Sequence, residues 1–215
     1  MILAAIGAGV VLPILPVQIL WINMTSAVAL GLMLAFEPKE AGIMLRPPRN
    51  PSRPLLTGVL VWRILLVGTL LLAGAFGLFI WVQAKGGTLD EARTVAVNVF
   101  VMVELFYLFN CRSLERSMFQ LGVFSNPWVT GGVLTMIVLQ LLFTYAPPMN
   151  FLFHTTPIDW ETWIPILGVG VASYVIVGIE KWIRRKLPRS SHPIPTSNKR
   201  DEGETENANL KGRSI

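Results

Sequence analysis

The sequence is poor in the residues that build soluble chemistry. It has one cysteine, Cys111, so no internal disulfide can form. It has two histidines, His154 and His192, too far apart and too few for a zinc centre. Only 14% of its 215 residues are charged, against about 25% in a typical soluble domain. No G-x-x-x-x-G-K-[ST] run is present to cradle a nucleotide phosphate. The first residues lack a basic stretch and an A-x-A-like cleavage site, which argues against a secretory signal peptide.

What is abundant is apolar surface. Hydrophobic residues make up 53% of the chain, and the mean hydropathy is +0.56. The class expected is an all-α membrane protein: about five full transmembrane helices, a partial helix before them, and a disordered tail. Some 20 apolar residues at about 1.5 Å each cross a hydrocarbon core of roughly 30 Å. The spans expected are 14–36, 55–82, 94–111, 128–146 and 161–183. Residues 1–12 are apolar but short, as in the second half of a helix, and Pro13 and Pro16 set a tight hairpin into the first full span. Residues 1–187 form one membrane domain in this reading. Residues 188–215 lack apolar periodicity and are expected to be a disordered cytoplasmic tail.

The net charge of +5 falls in loops and at helix ends rather than in a groove, so nucleic acid is not an expected partner. The positive-inside rule explains it better. Lys39, Arg46, Arg49 and Arg53 follow the first span, Arg112 and Arg116 the third, and Lys181, Arg184, Arg185, Lys186 and Arg189 close the last. Residues 147–160 contain no Lys or Arg, as expected outside. The C-terminus is then cytoplasmic, in a multi-pass protein of the plasma (inner) membrane. Trp81, Trp128, Trp160, Trp163 and Trp182 fall at span ends, as an aromatic belt does. Arg63 lies near the inner end of the second span, where it can snorkel to the headgroups.

Several polar groups lie inside the spans. Asn23, Thr25 and Ser26 cluster within about one turn, with Asn23 and Ser26 on one face at i, i+3. Glu104 sits in V-E-L-F-Y-L-F, where a charge costs about 2.5 to 3.5 kcal/mol on insertion scales. Two readings are open. These groups line a cation or proton path, or they act as interhelical glue, with hydroxyls bonded to their own carbonyls and a hydrogen-bonded carboxyl. A hard cation wants several oxygens at roughly 2.0 to 2.6 Å, and Asn23, Ser26 and Glu104 could supply them if their helices pack together. Gln18, Asn98 and Gln140 read as interhelical hydrogen bonders, and Gly168-Val169-Gly170 as a helix-packing site.

P-V-Q-I-L-W-I-N at 16–23, A-F-E-P at 35–38 and I-M-L-R-P-P-R-N-P at 43–51 resemble the sixth membrane helix and following loop of type II P-type cation-transporting ATPases, the calcium-pump and sodium-pump group. The segment 103–110 resembles the family's eighth helix, and the last basic span its tenth. The resemblance covers about residues 1–186. It implies that Asn23 and Ser26 fall on cation-ligand positions and Glu104 on a carboxylate ligand. It also implies that the loop with Glu37, Arg46, Pro47, Pro48 and Arg49 couples the membrane helices to a phosphorylation domain. The calcium-pump pattern Asn-x-x-Thr-Asp is here Asn23-Met24-Thr25-Ser26-Ala27, which puts calcium selectivity in doubt. The fifth-helix ligands would fall upstream of Met1.

The chain is thus expected to be a pump's C-terminal membrane domain, supplying part of an ion path but not hydrolysing ATP by itself. ATP and Mg would belong to the missing actuator, nucleotide-binding and phosphorylation domains, and the chain itself holds no cofactor. Its partners would be the lipid bilayer, the transported cation and a chain carrying those domains. The alternative is a non-enzymatic multi-span subunit or truncated remnant without transport. An independent ion-coupled carrier would be expected to show repeated halves, and none is visible.

Overall fold

The computed structural model describes residues 2–7, 9, 11–36, 56, 58–111 and 126–186. Its helices are α1 (Ile2–Gly7), α2 (Pro16–Ala35), α3 (Gly58–Ala84), α4 (Leu89–Cys111), α5 (Pro127–Tyr145), α6 (Pro147–Phe153) and α7 (Trp160–Lys186). No strand occurs among the described residues. Five helices are long and apolar enough to cross a membrane: α2 to α5 and α7. The expected coupling loop and tail lie outside the described residues.

Helix ends follow local chemistry. Pro16 opens α2, where its missing N–H costs nothing. The Gln18 side chain reaches back to accept from Leu15 N at 3.0 Å, one half of a capping box. Asn126 caps α5 by accepting from Trp128 N at 3.0 Å, and its amide donates to Phe36 O beyond the end of α2. Between α3 and α4, Gly87 N donates to Val82 O, with Gly86 at φ 86, a left-handed turn suited to glycine.

Two boundaries differ from the sequence expectation. The fourth helix begins at Leu89 rather than at 94. Thr88 accepts from Glu91 N at 3.2 Å, and Asp90 and Glu91 occupy the first turn, where carboxylates suit the helix dipole. Residues 147–160, between two expected spans, begin with the short helix α6.

The contacts give the directions. α2 meets α5 at Trp21–Gln140, Met33–Gly132 and Phe36–Trp128, so the two are antiparallel. Asn98 meets Thr144, and Thr94 meets Thr156 beyond α5, so α4 is also antiparallel to α5. Hence α2 and α4 run parallel. α7 lies along α3 and α4 through Gly74–Val169 and Gly170–Phe106. A Cβ on Gly170 would come within 2.6 Å of the Phe106 ring, so a larger residue here would force its neighbours to shift. The core concentrates on α4, where Ala92, Val95, Ala96, Val97 and Val99 are fully buried.

Arg63 does not snorkel. It is buried, and its guanidinium pairs with Glu180 of α7 at 3.1 Å. The acid of a neighbouring helix supplies the partner that a buried guanidinium needs.

Candidate functional site

Two polar constellations occupy the seam of α2, α4 and α5. The first holds the predicted site. α2 and α4 are parallel and packed, and Ser26 and Glu104 are neighbours across them. The Glu104 carboxyl interacts with the Ser26 side chain. Glu104 is half-buried; its Oε2 is shielded and has no hydrogen-bond partner among the described residues. An orphaned, shielded carboxyl oxygen is a costly feature, of about 1–3 kcal/mol for a neutral acceptor. It is also an available ligand.

Ser26 and Thr25 are buried and bond back along α2. Ser26 Oγ donates to Ile22 O at 2.6 Å, and Thr25 Oγ1 to Trp21 O at 2.8 Å. This leaves the Ser26 oxygen lone pairs toward its neighbours, since the single proton is already committed. Asn23 departs from the expectation of convergence: it is exposed. Residues three apart on a helix differ by about 60° around the axis. Once Ser26 turns to α4, Asn23 comes off the seam. Two of the three candidate ligands therefore meet, and the third lies on an outer face of α2.

The second constellation is a closed network, and it matches the glue reading of Asn98 and Gln140. Asn98 Nδ2 donates to Thr94 O at 2.9 Å and to Thr144 Oγ1 at 3.1 Å. Asn98 Oδ1 accepts from Gln140 Nε2 at 2.9 Å. Gln140 Oε1 accepts from Trp21 Nε1 at 3.5 Å. Gln18 is likewise buried, with Nε2 donating to Phe153 O at 3.0 Å.

A third group was not foreseen. At the far end of α3, α4 and α7, Arg63 pairs with Glu180, and Lys181 Nζ donates to Asn110 O. Asn110 Nδ2 donates to Tyr174 O at 3.4 Å. Glu180 inside the last span was the available signal: an acid there needs a base from a neighbouring helix.

The apolar hollows offer no cation site. A groove of about 540 Å³ between α4, α5 and α7 is lined by residues such as Leu105, Phe106, Met136, Trp163 and Leu167. Its one amide, Gln140, is committed to the network. Among the described residues no group of three or more His, Cys, Asp or Glu could hold a metal ion. A cation here would rest on neutral oxygens and one carboxyl.

Comparison with known proteins agrees with this architecture. Residues 11–183 match the family described as "Cation transporting ATPase, C-terminus". The chain is 58% identical over 184 residues to "Probable cation-transporting ATPase F" of Mycobacterium bovis, covering 86% of this chain and 20% of that protein. It is 38% identical over 173 residues to "Cation-transporting ATPase pma1" of Synechocystis sp., covering 74% and 19%. It is 31% identical over 169 residues to "Calcium-transporting ATPase" of Bacillus subtilis, covering 78% and 19%. The chain spans about a fifth of the length of the curated relatives it matches. It belongs to the family of cation-transporting ATPase C-terminal membrane domains, and it is a multi-pass membrane protein.

Proposed function

We propose that this domain supplies part of the cation-binding and translocation path of a P-type pump, with Ser26 and Glu104 as ligands on that path. The meeting of Ser26 with a carboxyl whose second oxygen lacks a partner carries this reading. Ion release would be driven by phosphorylation in domains outside these 215 residues, where ATP and Mg act. The chain by itself does not hydrolyse ATP in this reading, since it contains no Asp-Lys-Thr-Gly-Thr nucleophile motif. The loop bearing Glu37, Arg46, Pro47, Pro48 and Arg49 would transmit the coupling.

Asn23 supports a partner. An exposed amide among the exposed apolar residues Leu20, Met24 and Val28 is costly against hydrocarbon. A helix of a chain carrying the catalytic domains would cover that face and bring Asn23 into the path. The basic loops favour a cytoplasmic C-terminus in the plasma membrane. The Bacillus subtilis relative is named for calcium. With Ala27 in place of the calcium-pump aspartate, a monovalent cation, a proton, or a site for fewer ions fits this chain better.

A second reading has its own support. The back-bonded hydroxyls of Thr25 and Ser26 and the closed Asn98–Gln140 network fit a non-enzymatic membrane subunit without transport. Infrared difference spectra of the chain in nanodiscs separate the two. In the first reading the Glu104 carboxyl band responds to at least one of Na⁺, K⁺, Ca²⁺ or a pH step, and Glu104→Gln abolishes the response. A band indifferent to all four favours the subunit. Vanadate-sensitive ATP hydrolysis by the purified chain would contradict the assignment of catalysis to other domains.

A further inference from the structure

The Ser26–Glu104 contact joins two helices whose axial register must be held by something else. A slip of one residue moves a helix by about 1.5 Å and turns its side chains by about 100°, enough to carry Glu104 off α2. We infer that Asn98, Gln140 and Trp21 form a positioning device that sets this register, with α5 as the common reference. The inference rests on the reading of Ser26 and Glu104 as path residues.

The geometry is matched on the two helices. Trp21 precedes Ser26 by five residues, and Asn98 precedes Glu104 by six. At about 1.5 Å per residue these are offsets of roughly 7.5 and 9 Å, in the same direction on parallel helices. Both network residues bond to one side chain, Gln140: its Nε2 donates to Asn98 Oδ1 and its Oε1 accepts from Trp21 Nε1. The two amide ends of Gln140 thus tie α4 and α2 to the same point of α5.

The tie is stiff for three reasons. The Trp21 ring stacks on Phe143 at 5.2 Å and meets Phe153 edge-on at 5.1 Å, so the indole is held before its N–H is used. Both Asn98 donors are spent, on Thr94 O and Thr144 Oγ1. Thr144 Oγ1 also lies 2.9 Å from Gln140 O, within the same turn of α5. A buried network in which each member has a partner favours one arrangement, because a shift leaves a polar group unpaired in low dielectric. The contrast with Glu104, one to two turns away with an unpartnered oxygen, is what a pre-organised ligand requires.

The test compares the loss of hydrogen bonds inside and outside the network. In nanodiscs, the Glu104 carboxyl band is assigned by its absence in Glu104→Gln. It is then recorded in Gln140→Met, in Trp21→Phe, and in Tyr145→Phe as a control. Tyr145 also makes two hydrogen bonds from α5, to Ile158 O and from Trp163 Nε1, but on the side facing α7. The expected result is a shifted or split band in Gln140→Met and Trp21→Phe and an unchanged band in Tyr145→Phe, even where all three melt earlier. A band unchanged in Gln140→Met, or shifted equally by Tyr145→Phe, overturns the inference. If Gln140→Met does not fold, Trp21→Phe decides, since it removes the indole donor and keeps an aromatic ring, and the Tyr145→Phe control shows whether a loss of stability alone moves the band. Failure of the transport reading appears separately, as a band that ignores every cation in the unmutated chain.

Discussion

Arg63 and Glu180 approach to 3.1 Å while each side chain is only 10% exposed. They bind α3 to α7 through one charged pair between apolar helix surfaces. Such a pair need not add net stability, but removing one partner leaves the other's buried charge less well compensated, at a cost of up to about 3–5 kcal/mol. Arg63→Met or Glu180→Met alone should therefore destabilise strongly in chemical unfolding. The double variant should cost less than the sum of the two. Additive costs would mean that the pair is not coupled.

Glu104 should trade stability against ligand binding. Replacing an acceptor whose Oε2 is unpartnered removes a desolvation cost. Glu104→Met should raise the unfolding free energy by about 1 kcal/mol in cation-free buffer. The same variant should lose any cation-dependent rise in melting temperature that the parent shows. A clear loss of stability would mean that the carboxyl is satisfied by its surroundings.

Asn98→Ala should be costly. It leaves Gln140 Nε2 without its acceptor and opens a buried void, so a loss of about 2–3 kcal/mol is expected. Thr135→Ala on α5 is the comparison. Its hydroxyl only bonds back to Gly131 O on an exposed face, and a change within about 0.5 kcal/mol is expected. Equal effects in an unfolding titration would show that Asn98 contributes no more than a surface hydroxyl.

Gly170→Val should push α7 away from Phe106 and Met102, which stand within van der Waals distance of the missing Cβ. Overpacking of this kind costs about 1–3 kcal/mol. Gly168→Ala, two residues earlier, meets nothing within 4 Å and should be tolerated. Melting temperatures of the two variants side by side check the contrast.

Much of the architecture was legible because the membrane imposes a length. The five spans announce themselves as apolar runs, and Pro16 and Pro127 mark helix starts in the structure as proline at the first helical position should. The start of α4 was missed although its signal was present. Thr88 and Glu91 have capping-box spacing, but Asp90, Glu91 and Arg93 beside an apolar run resemble a polar connection. The burial of Arg63 was missed for a different reason. A single sequence says that a basic residue near a span end can snorkel, and nothing local reveals that Glu180, 117 positions away, will face it.

The chain's own order of residues determined which segments are helical and apolar enough to cross a membrane, and which polar groups they carry inside. These follow from local hydrogen bonding, proline placement and hydropathy. Only the tertiary structure decided the pairings: Ser26 with Glu104, Asn98 with Gln140, Arg63 with Glu180, and Asn23 turned outward. Those depend on the rotation of each helix about its axis, which packing against several neighbours sets at once. Between apolar helices that rotation has little preference of its own, so small residues such as Gly170 and a few buried hydrogen bonds fix it.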